Sequence, residues 1–294
     1  MNANSGDTNK YCLYDCHAQI LSVEDRHDDK DVNISESKEV VESKQAASLL
    51  SEYKALSQKL SVAGAVFLQP EDQGFDHQFL IKTILELNEI DKNQGISKAF
   101  GVATLNLDMS DDELEGLKGS GIIAAQFIMT AGDEKYEWDE AERLAWRIND
   151  LGWSVDLHMD GSDLHEVEQR LSSWPGYITL RHIGQFSRTK TLKQRGFKAL
   201  TRLIDRDKVW VKLSAPYNSS RTGLIDDPEV MEIASALINW APERMIWGTN
   251  WPHLEVTEEP PKDSDLFRIF CNWIPETSRR KMILNENPSI LYGF

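Results

Sequence analysis

Eight short apolar runs, separated by stretches of helical periodicity, constrain this chain more than any other feature. They span residues 13–16, 63–68, 99–105, 122–127, 154–157, 177–180, 209–213 and 244–247. Runs this short, bounded by polar or turn residues, read as strands. Helices are predicted over 51–60, 76–88, 110–119, 139–151, 163–174, 190–205, 228–240 and 277–284. The segment at 76–88 spaces Phe79, Leu80, Ile84 and Leu87 along one face, and 139–151 does the same with Ala141, Leu144, Ala145 and Ile148. Ser110-Asp111-Asp112-Glu113 is a capping-box pattern that starts a helix. Strands alternating with helices predict a parallel α/β sheet. Closing eight such units gives a (β/α)8 TIM barrel, which takes about 250 residues as a single domain, and the chain has 294. An open doubly wound sheet is the rival, but no Gly-rich phosphate fingerprint follows the first strand.

Residues 1–10 read as a disordered tail and 11–294 as one domain, with no internal repeat or linker. Residues 21–42 are strongly charged, nearly free of large apolar side chains, and read as an extended loop; 255–264, with Glu258-Glu259-Pro260-Pro261, is a second. Each follows a strand, so each reads either as a lid or as a surface ornament. The net charge of −16 argues against nucleic acid and anionic membrane as partners. No apolar run reaches the about 18 residues of a membrane span, and the polar N-terminus is not a secretory signal. Cys12, Cys16 and Cys271 form neither a disulfide framework nor a metal spacing, so a reducing, cytoplasmic setting is expected. Cys16 reads either as a reactive thiol or as a small buried apolar residue.

A barrel enzyme carries its reactive side chains at or just past the C-terminal ends of its strands. His17 and Gln19 follow the first run, and Gln69 follows the second, before Pro70. Gln126 lies in the fourth; His158 and His182 end the fifth and sixth; Ser214, with Tyr217 close behind, ends the seventh. The eighth delivers Asn250, Trp251 and His253. Four of the seven histidines thus sit at strand ends, while His27, His77 and His165 lie in polar contexts and read as solvated. Lys212 shares a face with Ser214 but lies one layer deeper; it is either catalytic or the neutraliser of a buried acid. Trp251 and Tyr217 suit a flat ring substrate, though packing alone also accounts for Trp251.

Trp247-Gly248-Thr249-Asn250-Trp251-Pro252-His253 resembles the last-strand signature of the amidohydrolase superfamily, in its branch of lactonases for 2-pyrone-4,6-dicarboxylate and sugar acids. Val66-Phe67-Leu68-Gln69-Pro70, His182-Ile183-Gly184, Val211-Lys212-Leu213-Ser214-Ala215-Pro216-Tyr217 and the ending Asn287-Pro288-Ser289-Ile290-Leu291-Tyr292-Gly293-Phe294 are similar to that branch too. The departures matter as much. Where the superfamily has His-x-His, this chain has His17-Ala18-Gln19; the eighth-strand Asp is Asn250, and a basic residue of the fourth strand is Gln126. Arg181 precedes His182 where the branch has Asp.

The resemblance implies a hydrolase acting on a small lactone, metal-independent and without cofactor, its carbonyl held among catalytic His17, His182 and Asn250. Gln19, Gln69, Gln126, His158, Lys212, Ser214, Tyr217, Trp251 and His253 would hold the substrate. Zinc at His17, His158 and His182 stays open as an alternative, although that set lacks an anionic member. In the branch the eighth-strand Asp takes a proton from water. An amide cannot, and losing a general base lowers the rate by about 10²–10⁴-fold. A histidine must then move the proton, with Asn250 orienting water or donating to an oxyanion. Otherwise the pocket isomerises, cyclises or eliminates by His acid/base chemistry, or binds without turnover. The expected partner is a small molecule, with a homodimer left open.

Overall fold

A computed structural model describes residues 12–20, 38–89, 96, 98–187, 191–256 and 259–294. Its strands are β1 (Leu13–Gln19), β2 (Val62–Leu68), β3 (Lys98–Ala103), β4 (Ile122–Ile128), β5 (Ser154–His158), β6 (Ile178–Leu180), β7 (Val209–Leu213) and β8 (Met245–Trp247). They lie parallel, each paired with the next in sequence order. β1 then meets the segment after β8: Ala18 bridges Trp251, Gln19 N donates to Trp251 O at 2.7 Å, and Asn250 N donates to His17 O at 2.8 Å. The alternating pattern therefore ends in a TIM barrel, and the open-sheet rival is excluded.

Outside the strands stand α1 (Lys38–Leu60), α2 (Gln78–Glu89), α3 (Asp111–Gly119), α4 (Trp138–Asp150), α5 (Leu164–Ser173), α6 (Arg195–Asp205), the single turn α7 (Pro216–Ser219), α8 (Pro228–Trp240), α9 (Asp263–Trp273), α10 (Thr277–Lys281) and α11 (Asn287–Tyr292). A π turn, Met282–Glu286, joins the last two. The capping box of α3 is formed: Glu113 Oε2 accepts from Ser110 N at 2.7 Å, and Ser110 Oγ accepts from Glu113 N at 3.3 Å.

Three expectations need correction. Residues 38–42, read as loop, belong to α1; Leu49, Leu50, Tyr53 and Leu60 bury its downstream half, and once a helix is anchored each added residue extends it at little cost. Residues 1–10 and 21–37 lie outside the described residues. The second loop ends earlier than expected, because α9 begins at Asp263 and buries Leu266, Ile269, Phe270 and Trp273, a helical spacing that was legible in the sequence. His77 is not solvated: it is buried, with Nε2 2.7 Å from the Thr104 carbonyl. His165 is half-buried, and His27 lies outside the described residues.

Strand alternation sorts the barrel into two cores. Ala65, Phe67, Ala125, Phe127, Val155, Leu157, Val211 and Leu213 point outward into the layer shared with the helices. Cys16, Val66, Leu68, Val102, Ala124, Trp210 and Ile246 pack inside. Phe294 closes the lower end, stacked on Tyr14 at 4.2 Å. Gly64 admits that ring, since a Cβ there would lie 2.7 Å from it. Above the apolar filling the interior turns polar, and there the candidate site begins.

Candidate active site

A network of buried side chains forms the polar layer. Asp156 on β5 takes hydrogen bonds from Arg181 Nε and Lys212 Nζ, and a third from Thr179 Oγ1 at 3.1 Å. Burial opposes the Asp156 charge, but Lys212 and Arg181 win and hold its carboxyl well below the usual range. Burial pushes the Lys212 ammonium down, and Asp156 counters it. Lys212 therefore has the structural role allowed for it, neutralising a buried acid. Arg181 is further tied to Gln126 Oε1 at 2.6 Å. Gln126 donates to Gln69 O at 2.8 Å, and Gln69 donates to Gly74 O and Asp76 O. Both amides hold the frame of the β2–β4 tips.

His17 and His182 sit on this layer, ring centroids 5.0 Å apart, and His158 stands edge-on to His182 at 5.6 Å. A register irregularity between Asp15 and Ala18 fits an extra residue into β1. Bulges of this kind re-aim side chains beside active sites. Asp15, at the base of the bulge, accepts from His17 N, from Thr249 N and Oγ1, and from the Tyr53 hydroxyl. Gly248 lets β8 approach this corner: a Cβ there would lie 2.5 Å from His17 Cβ. Neither ring nitrogen of His17 has a hydrogen-bond partner although both are buried. Burial first, then the Lys212 and Arg181 cations, hold the His17 imidazolium well below its usual pKa, and a charge on His182 would oppose it too. Burial and His158 do the same to His182. Both rings are therefore neutral near pH 7 and carry N–H donors beside two cations, a setting that favours a developing negative charge.

The eighth-strand residues form a hydrogen-bonded chain. His253 Nε2 donates to Asp263 Oδ1 at 3.2 Å, Tyr217 donates its hydroxyl to His253 Nδ1 at 2.8 Å, and Asn250 Nδ2 donates to the Tyr217 oxygen at 2.7 Å. The other Nδ2 hydrogen goes to Glu255 Oε2 at 3.0 Å. Ser214 lies 3.1 Å from His182 Nδ1. Trp251 packs on Tyr53, ring centroids 5.3 Å apart, and so belongs to the wall. Cys16 is buried beneath, its thiol pushed up by burial, the inert alternative of its two readings. Non-glycine residues with left-handed backbone cluster at these tips: His182 (φ 52°), Ile183 (59°), Gln185 (44°), Ala215 (42°), Asn250 (63°) and His253 (68°). Such strain concentrates at functional sites.

A cavity of about 290 Å³ opens at this end of the barrel, lined by Gln19, Glu71, His158, Arg181, Leu254 and Glu255. His17, His182 and Asn250 are buried and do not line it; His182 stands against His158 and Asn250 against Glu255, which do. Glu71 accepts from His158 Nδ1 at 3.1 Å and lies 3.6 Å from the Arg181 guanidinium; His158 Nε2 lies 2.7 Å from Gln185 Oε1. Both nitrogens of His158 are thus engaged, and so is Nδ1 of His182. The three histidines do not fit zinc as they stand, and among the described residues no three His, Cys, Asp or Glu side chains converge on a metal position. Sequence reasoning missed Glu71, Glu255, Asp15 and Asp156. The two glutamates lie in loops without a motif, and the two aspartates are recognisable only once burial is known.

The amidohydrolase family model matches residues 14–294. This chain belongs to the amidohydrolase family. Among its relatives, 4-sulfomuconolactone hydrolase of Hydrogenophaga intermedia is 28% identical over 246 residues, 82% of this chain and 78% of the relative. D-galactarolactone isomerase of Agrobacterium fabrum is 27% identical over 243 residues, 82% of this chain and 80% of the relative. A probable 2-pyrone-4,6-dicarboxylic acid hydrolase of Acinetobacter baumannii, solved with citric acid bound, superposes with a TM-score of 0.77 at 19% identity, covering 97% of this chain and 100% of that one. The last likeness is one of fold. Among the described residues no helix is long and apolar enough to cross a membrane.

Proposed function

We propose that this amidohydrolase opens a small lactone ring by hydrolysis, using its own side chains. The observation that carries the reading is the unpartnered imidazole of His17, buried against His182 and above Lys212 and Arg181. A buried polar atom without a partner costs about 1–3 kcal/mol, and a ligand oxygen accepting from it would recover that cost. Water adding to a lactone carbonyl creates an oxyanion, and neutral N–H donors beside buried cations stabilise it. Gln19, His158 and Leu254 would bracket the ring in the cavity, with Arg181 at its floor. The lactone hydrolase among the relatives supports the same reaction class.

Ring isomerisation is the second reading, favoured by Asn250 at the eighth-strand position and by the galactarolactone isomerase relative. Product mass separates the two, since hydrolysis adds one water and isomerisation adds nothing. The purified protein, with His17→Ala and His182→Ala beside it, is to be assayed on a panel of neutral and carboxylated lactones. Ring opening with gain of water, slowed about 10²-fold or more in either variant, is expected. Equal rates in wild type and variants, or no ring opened by any of them, defeats the reading.

A further inference from the structure

If the chain is a lactone hydrolase, its attacking water needs a base, and Asn250 cannot be one. We propose that Glu255 is that base, a carboxylate delivered by the loop after β8 to the place the amide leaves vacant. The inference rests on the lactonase reading above. Two tight turns bring residue 255 back over residue 250: His253 N donates to Asn250 O at 2.8 Å, and Val256 N donates to His253 O at 3.0 Å. Both turns pivot on left-handed residues, Asn250 and His253. The result is the 3.0 Å contact from Asn250 Nδ2 to Glu255 Oε2, with Glu255 lining the cavity and open to water. The Tyr217 hydroxyl senses the same carboxylate: burial raises its pKa first, and the Glu255 charge raises it further.

Among the described residues, the other carboxylates at this end of the barrel are committed elsewhere. Burial opposes the Glu71 charge, but the bond from His158 and the nearby Arg181 outweigh it and keep its carboxyl low and weakly basic. Asp263 accepts a hydrogen bond from His253 Nε2, and Asp156 is locked between Arg181 and Lys212. Glu255 has a neutral amide as its hydrogen-bond partner. That explains why an amide suits position 250: an aspartate there would face Glu255 at about hydrogen-bonding distance, where two carboxylates cannot both ionise readily.

The step balances. Glu255 takes one proton from water as the oxygen bonds to the carbonyl carbon, and the carbonyl electron pair moves onto oxygen, facing the His17 and His182 donors. The tetrahedral centre then collapses, the ring C–O bond breaks, and the departing ring oxygen takes the proton back from Glu255. The new carboxylic acid loses its own proton to solvent.

The test uses a lactone that the wild type opens, with Glu255→Gln, Asn250→Asp and the exchange variant Asn250→Asp/Glu255→Gln. Glu255→Gln is expected to lose about 10²–10⁴-fold in kcat with KM within a few fold, and to keep its thermal midpoint because the side chain is exposed. Hydroxylamine, a nucleophile that needs no base, should open the same lactone with wild-type and Glu255→Gln enzyme at rates within a few fold. The exchange variant should regain at least tenfold over Glu255→Gln. Undiminished turnover by Glu255→Gln overturns the proposal and leaves the lactonase reading standing. A wild type that opens no lactone overturns both.

Discussion

Lys212 and Asp156 form an ion pair across the barrel interior in which neither side chain is exposed to solvent. Arg181 shares the same carboxylate and lies 3.6 Å from Glu71 as well, whereas Lys212 has Asp156 as its ion-pair partner. Removing a partner from a buried pair costs about 3–5 kcal/mol, because the remaining charge stays buried. The arrangement predicts an order. Asp156→Asn leaves Lys212 without its counter-charge and Arg181 with only Glu71, 3.6 Å away, and should cost the upper end of that range. Lys212→Met leaves Asp156 paired to Arg181 and should cost the lower end. Urea denaturation of both variants checks this, and a Lys212→Met protein less stable than Asp156→Asn would show that the pairing is misread.

Asp15 predicts a pH dependence. Burial raises its carboxyl to about 6, and the bonds from Thr249, His17 and Tyr53 only partly oppose the shift. A raised pKa means that the neutral acid is favoured in the folded state. Its contribution is fully present below the unfolded value of 3.8 and is lost as pH rises through about 6. The shift corresponds to about 3 kcal/mol. Asn is nearly isosteric, and its Oδ1 can still accept from the backbone N–H groups of His17 and Thr249. Asp15→Asn should therefore flatten the stability profile between about pH 4 and 7. Thermal midpoints across that interval read the slope, and an unchanged slope in the variant would refute the account.

What the sequence displays and what it conceals divide along physical lines. Strand-end polar residues such as His17, His158 and His182 are legible because a parallel barrel can use its strand tips in only one direction. The inward face of Lys212 follows from strand parity, but its pairing with Asp156 does not, since parity says which face a residue takes and not which residue lies opposite. Gln69 and Gln126 sit where substrate contacts belong and instead bond the frame, because their amides meet backbone carbonyls first. Glu255 is invisible without the turns that fold it back onto Asn250. Helix α9 is legible in the spacing of Leu266, Ile269, Phe270 and Trp273, but the charged, proline-bearing loop before it masks where it starts.

Gly248, just past β8, packs directly against the bulge of β1. A methyl group there would lie 2.5 Å from His17 Cβ and 2.7 Å from His17 N, both fixed by the Asp15 and Asn250 contacts. Gly248→Ala must push the strands apart, and overpacking of this kind costs about 1–3 kcal/mol. The displacement falls on the His17–His182 contact, so turnover should fall further than stability alone implies. A thermal midpoint and a turnover rate both equal to wild type would mean that the corner is softer than its geometry indicates.

Tyr217 joins the Asn250 amide to the His253 ring, accepting from one and donating to the other. Tyr217→Phe keeps the ring and removes both bonds. His253 Nδ1, buried, then has no donor, and leaving such a group unsatisfied costs about 1–3 kcal/mol. Asn250 retains only Glu255 as acceptor, so its amide loses one of its two anchors and is less well fixed. A less firmly held amide should position Glu255 less well. Stability should fall by the stated amount while kcat drops by about tenfold or more and KM changes little, the loss one misplaced positioning group produces. His253→Phe tests the same link from the other side: Tyr217 keeps its bond from Asn250, so turnover should suffer less than in Tyr217→Phe. If His253→Phe proves the more damaging variant for turnover, the hydroxyl of Tyr217 does not orient Asn250.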